Sequence, residues 1–252
     1  MSDSAPVVPL GAWLAELTDD QLVRLLELRP DLAQPPPGSI SALAARAQSR
    51  QSVKAATDGL DFLSLVVLDA LLTLRADGGG VPLAKLFALI GDRAGQGDLN
   101  AAVDELRARA LAWGDDAVRV APEAAAGLPW HPGQVTLEVD GLGADRILEL
   151  LDGIDDPQRE LLERLVAGSP IGRTRDAGPG TPPERPVQRL LTAGLLRQVD
   201  EDTVILPRLV GQVMRGESPG PVGLTAPDPV VWSTTASDVD AAAAGSAMDL
   251  LR

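Results

Sequence analysis

The chain repeats itself. Val103, Leu106, Ala110, Leu111, Val118, Val120 and Pro122 match Val187, Leu190, Gly194, Leu195, Val204, Leu206 and Pro207. Upstream, Gly59, Leu60, Asp61, Leu68 and Leu71 match Gly153, Ile154, Asp155, Leu162 and Leu165. The offset falls from 94 residues (Gly59 to Gly153) to 84 (Val103 to Val187), so the second copy is shorter between its first and third helices. That shortened stretch, Ser169 to Pro183, is rich in Gly and Pro, and a reduced middle helix is expected there. Two copies of this size are two folded modules, because a solenoid needs three or more stacked units.

The first copy reads clearly. Leu60, Leu63, Leu65, Val67, Leu68, Leu71, Leu72 and Leu74 form a helix that is apolar over most of its circumference, which places it at the centre of a core. Asp77-Gly78-Gly79-Gly80 ends it. Leu83, Leu86, Phe87, Leu89 and Ile90 line a second helix, with Pro82 near its first turn. Leu99, Val103, Leu106, Ala110 and Leu111 line a third. Leu111 to Trp113 and Val118 to Val120 flank Gly114-Asp115-Asp116 as strand, turn, strand. Three helices followed by a β-hairpin is the winged-helix order.

In the second copy Ile154-Asp155-Asp156-Pro157 starts a helix lined by Leu161, Leu162, Leu165 and Val166. A later helix carries Val187, Leu190, Leu191, Ala193 and Leu195. A second hairpin runs from Leu196 to Val199 and from Val204 to Leu206, around Asp200-Glu201-Asp202. The predicted fold is mainly α with short β-hairpins, as tandem winged-helix (helix-turn-helix) modules over 57–127 and 153–216, the second degenerate. A connector over 128–152 joins them, with a loop from Leu128 to Gly133, a short strand from Val135 to Val139, and a helix through Ile147, Leu148, Leu150 and Leu151.

Residues 1–56 read as an N-terminal helical segment docked on the first module. Trp13, Leu14 and Leu17 fit a short amphipathic helix, and Thr18-Asp19-Asp20-Gln21 is a capping box for the next. That helix, carrying Leu22, Leu25, Leu26 and Leu28, stops before Arg29-Pro30. Pro35-Pro36-Pro37 is a stiff connector, and Ser39 caps a helix through Ile40, Leu43, Ala44 and Ala47. Residues 217–252 read as a linker followed by a helix from Val239 to Leu251, the start of a truncated further domain.

Composition removes much chemistry. The chain has 252 residues, no Cys, no Tyr and one His, His131. Thiolate metal sites, disulfides and cysteine nucleophiles are excluded, and His-dependent triads have little to work with. His131, flanked by Trp130 and Pro132 in a loop, reads as structural. Gly78-Gly79-Gly80 lacks the Gly-Lys-Ser/Thr that completes a phosphate cradle, and Gly141-Leu142-Gly143 has Arg146 where a third glycine belongs. Asp19-Asp20 and Asp155-Asp156 fall at helix starts, and Asp115-Asp116 in a hairpin turn, all structural positions. No enzyme activity, cofactor, metal or small-molecule substrate is expected. No apolar run reaches the ~18 residues of a membrane helix. Met1 to Pro9 carries Asp3 and no basic residue, unlike a secretory signal, so a cytoplasmic location is expected.

Charge bears on the remaining candidate function. There are 36 acidic and 22 basic residues, a net charge of −14, and all but Lys54 and Lys85 of the basic residues are Arg. Nucleic-acid affinity needs cationic groups that displace counterions. Residues 57–126 hold 11 acids and 6 bases, and their third helix carries Asp98, Asp104 and Glu105. Residues 153–216 hold 9 of each. Arg173, Arg175, Arg185, Arg189 and Arg197 there are the candidate contacts for nucleic acid or a protein partner. The acidic balance favours the protein partner. Two Phe and four Trp are too few for a single-strand stacking platform.

The opening motifs resemble a known family. They are Trp13-Leu14-Ala15-Glu16-Leu17-Thr18-Asp19-Asp20-Gln21-Leu22, Leu28-Arg29-Pro30-Asp31-Leu32 and Pro35-Pro36-Pro37. Leu43-Ala44-Ala45-Arg46-Ala47, Ser49-Arg50, Ser52-Val53 and Leu68-Asp69-Ala70-Leu71 continue the pattern. Together, over about residues 10–122, they resemble actinobacterial helicase-associated proteins, whose C-terminal region is similar to the N-terminal domain of XPB-type helicases. Family members are longer, and this chain is similar to an N-terminal portion or a truncated relative. The resemblance implies a non-catalytic helicase-associated adaptor in a DNA-repair or transcription-type system, with a helicase or another protein as partner. Direct DNA binding through the Arg-rich second module is the alternative.

Overall fold

The computed structural model describes residues 8–138, 142–219 and 224. The fold is mainly helical, with two small antiparallel sheets of three strands. Five helices open it: α1 (Leu10–Glu16), α2 (Asp19–Leu28), α3 (Pro30–Ala33), α4 (Ile40–Ala47) and α5 (Arg50–Thr57). The Thr18 capping box forms, with the Gln21 N–H donating to Thr18 Oγ1 at 3.3 Å and the Thr18 N–H to Gln21 Oε1 at 2.9 Å. Ser39 caps α4 by accepting from the Ala42 N–H at 3.1 Å.

The first repeated unit is α6 (Phe62–Thr73), β1 (Val81–Pro82), α7 (Leu83–Ile90), α8 (Gln96–Ala108), β2 (Ala112–Trp113) and β3 (Ala117–Val120). After α9 (Ala144–Asp152) comes the second unit. It consists of α10 (Asp156–Ala167), β4 (Ile171–Arg173), a 3-10 turn (Arg175–Ala177), α11 (Pro186–Ala193), β5 (Arg197–Asp200) and β6 (Thr203–Ile205), with α12 (Arg208–Met214) behind it. The strand orders are β1-β3-β2 and β4-β6-β5. Both units therefore run helix, strand, helix or 3-10 turn, helix, strand, strand, and the shortened middle of the second copy is that 3-10 turn.

The correspondence extends to individual hydrogen bonds. Asp61 caps α6 through the Ser64 N–H at 2.7 Å, and Asp155, 94 residues later, caps α10 through the Gln158 N–H at 3.0 Å. After α8 the Ala110 N–H reaches Arg107 O and the Leu111 N–H reaches Leu106 O, both at 2.9 Å. Eighty-four residues on, Gly194 reaches Leu191 O at 3.1 Å and Leu195 reaches Leu190 O at 3.0 Å. This pair of bonds is the Schellman closure, which needs a left-handed residue. Ala110 supplies it at φ 51° and Gly194 at φ 78°. The Val120 N–H then reaches back to Ala76 O at 3.2 Å, and the matching Leu206 N–H reaches Pro170 O at 2.8 Å.

Several expectations are corrected. The two third helices end at Ala108 and Ala193, so Ala110, Leu111 and Leu195 lie beyond them in the closures. The helix through Leu68 ends at Thr73, and its left-handed step is taken by Arg75 (φ 65°) rather than by a residue of the glycine run. The strand expected from Val135 is absent: residues 132–137 form turns, because the backbone there bonds to side chains of both units. Val139, and the helix expected from Val239 to Leu251, lie outside the described residues.

Two cores hold the chain together. The larger joins Leu10, Leu14, Leu25, Leu32 and Leu43 of the opening helices to Leu68, Leu71, Leu106 and Val118 of the first unit. The smaller gathers Ile147, Leu162, Val187, Leu190, Leu195, Val204 and Leu206. Each fully buried Leu or Val removes enough apolar surface to contribute ~1.5–3 kcal/mol.

Candidate interaction surfaces

The five singled-out arginines are spread around the second unit. Arg173 lies on β4, Arg175 in the 3-10 turn, Arg185 just before α11, Arg189 on α11 and Arg197 at the start of β5. Arg189 donates to Asp155 at 2.6 Å, so the cation on α11 is bonded to the carboxylate that caps α10. Arg173 donates to Asp202 in the hairpin turn at 2.5 Å and holds that carboxyl below its usual range. Arg197 is half-buried, and its Nε donates to Leu137 O at 2.9 Å. Arg175 and Arg185 are exposed, with no side-chain hydrogen bond or ion pair among the described residues.

The equivalent helix of the first unit, α8, offers phosphate less. Arg107 turns inward, donating to Gly114 O at 3.0 and 2.6 Å and pairing with Asp104 at 3.0 Å. Arg109, just past the helix, pairs with Glu105 at 2.7 Å. Asp98 opens the helix.

The two units meet at a polar junction that the sequence reading missed. Asp69 is the one charged residue of the mostly apolar α6 and is fully buried. Its carboxylate accepts from the N–H groups of Gly133 at 2.6 Å and Thr136 at 2.8 Å, and from the Thr136 hydroxyl at 2.5 Å. The same connector reaches the second unit. Gln134 Nε2 donates to Leu206 O at 3.0 Å, and Glu138 Oε1 accepts from the Leu209 N–H at 3.0 Å in the first turn of α12. Arg208 stands 3.9 Å from Glu138 and lies over the rings of Phe62 and Trp130 at 5.7 and 5.6 Å. Arg93 adds a bond to Thr136 O at 2.9 Å.

Burial pushes both Asp69 and Glu138 above the ordinary carboxyl range, against the hydrogen bonds of Thr136 and Gly133 at Asp69 and the charge of Arg208 at Glu138. The single charged residue of a mostly apolar helix was the one signal for this junction, visible as Asp69 within Leu68-Asp69-Ala70-Leu71. Among the described residues, no three His, Asp or Glu side chains gather as metal ligands, and no helix is long and apolar enough to cross a membrane. No protein-family model, curated protein or solved structure matches the chain.

Proposed function

We propose that the chain is a non-catalytic adaptor built on two winged-helix-type modules, related to the actinobacterial helicase-associated proteins. In this reading it works in the cytoplasm, through protein–protein contacts in a DNA-repair or transcription-type helicase system. One observation carries the choice of protein over nucleic acid: Arg189 on α11 is already bonded to Asp155. A winged helix that reads DNA presents its third helix to the groove with cations free to meet phosphate. Here Arg173 is matched by Asp202, and α8 carries Asp98, Asp104 and Glu105. To bind phosphate, Arg173 and Arg189 would first have to give up their own acids.

Arg175 and Arg185 favour a second reading, direct DNA binding through the edge of the second unit. An electrophoretic titration of duplex DNA at about 50 and 200 mM salt separates the two. The adaptor reading predicts no retarded complex at either salt. Tight binding at low salt that collapses at high salt, and that Arg175→Glu/Arg185→Glu abolishes, would replace it with the DNA-binding reading.

A further inference from the structure

Resting on the adaptor reading, we propose that the groove between α1, α2 and α8 is the docking site for a cationic amphipathic helix of the partner protein. The groove has a volume of about 560 Å³. Its floor is apolar, made by Trp13 and Leu17 from α1 and the loop after it, Leu25 of α2 and Ala108 of α8. Trp13 and Leu17 pack on the larger core yet stay only partly covered. A half-covered Trp over an apolar floor is the residue type that most often anchors a protein interface.

The rim fixes the sign of the partner. Glu16, Asp20 and Asp115 stand exposed around the opening, with no side-chain hydrogen bond or ion pair of their own among the described residues. Asp104 and Arg107, also at the groove, are matched to each other. Arg24 is the one exposed cation on the rim, so the opening carries a surplus of negative charge. A polyanion is repelled there, whereas a helix with apolar residues on one face and Lys or Arg on its flanks meets both the floor and the rim. The groove lies along α8, the helix a DNA-reading relative would turn to the duplex, so the same element serves protein recognition instead.

The test uses the full chain and a short synthetic peptide with leucines on one helical face and lysines on the other, alongside an analogue with glutamates for lysines. Binding is read by anisotropy of the labelled peptide. The lysine peptide is expected to bind, and the glutamate analogue to bind at least about ten-fold more weakly. Glu16→Lys/Asp115→Lys is expected to cost the lysine peptide about ten-fold, with Glu16→Gln/Asp115→Asn intermediate and circular dichroism unchanged. Arg175→Glu/Arg185→Glu is expected to leave peptide binding unchanged.

No binding of the lysine peptide to the native chain, or equal binding by Glu16→Lys/Asp115→Lys, overturns the proposal. So does a dimer of the chain that the same double variant dissolves, because the occupant would then be a second copy. The duplex titration on the same samples reports separately on the adaptor reading. DNA binding with intact, groove-dependent peptide binding would sink that reading and leave the groove standing.

Discussion

The carboxylate of Asp69 is bonded at 2.8 Å to the backbone N–H of Thr136, a residue 67 positions away in the connector. One oxygen accepts from the Gly133 N–H and the other from the Thr136 N–H and hydroxyl. That single side chain ties the central helix of the first unit to the segment that also holds the second.

Asp69→Asn is therefore expected to destabilise the fold by about 1–3 kcal/mol. Both oxygens face backbone N–H groups, so an amide NH2 meets a donor whichever way it turns. Because burial lifts this carboxyl above 3.8, the folded chain keeps its proton to higher pH than the unfolded chain. The stabilising contribution is complete below that value and declines as pH rises through the folded value. Urea unfolding across pH should show the gap between the native chain and Asp69→Asn narrowing as pH increases from the acid side.

Arg29 tests the opposite sign. It is fully buried, donating to Asp31 at 3.0 and 3.2 Å, to Arg109 O at 2.7 Å, and to Ser52 O and Oγ at 3.1 and 2.5 Å. Arg29→Met is expected to cost about 3 kcal/mol in denaturant unfolding, since it leaves these acceptors unmatched, and Arg29→Lys cannot restore the fork. Burial pushes Asp31 up, but the bonds from Arg29 and Ser52 outweigh it and leave the carboxyl below 3.8. Its contribution is present above that value and lost as pH falls through the lower folded value. The gap between the native chain and Asp31→Asn should close only in strong acid.

Helix closure gives a stabilising prediction. Arg75 adopts φ 65° at the end of α6, a position glycine takes without steric cost. Its 3.3 Å ion pair with half-buried Asp77 is exposed on the arginine side and worth at most about 1 kcal/mol, which limits the gain. Arg75→Gly is expected to gain up to about 1 kcal/mol, and Gly194→Ala, at φ 78°, to lose about 1 kcal/mol. Thermal unfolding should register each as a shift of about 2–4 °C, in opposite directions.

The parts legible from residues were those set by local chemistry. Thr18 with Gln21 and Asp155 with Pro157 marked helix starts, and short apolar runs around Asp-rich turns marked both hairpins. The match of Ala110 to Gly194 aligned the two copies, but the closures they form were not legible, because an alanine carries no sign of a left-handed backbone. Strands β1 and β4, of two and three residues, are too short to show a period, and exist because β3 and β6 offer them an edge. Helix α12 was missed because its seven residues are too few to show a helical period and Gly211 lies in their middle. The arginines were visible as charges. Their acids were not, because Asp155 lies 34 positions from Arg189 and Asp202 lies 29 from Arg173.

In the proposed adaptor, both copies of the unit face protein rather than phosphate. Amide chemical-shift mapping of the full chain with a short DNA duplex at low salt tests it residue by residue. No duplex-dependent shifts are expected along α8, α11 or the hairpin turns. Shifts concentrated at Arg175, Arg185 and Arg189 that fade as salt is raised would contradict it.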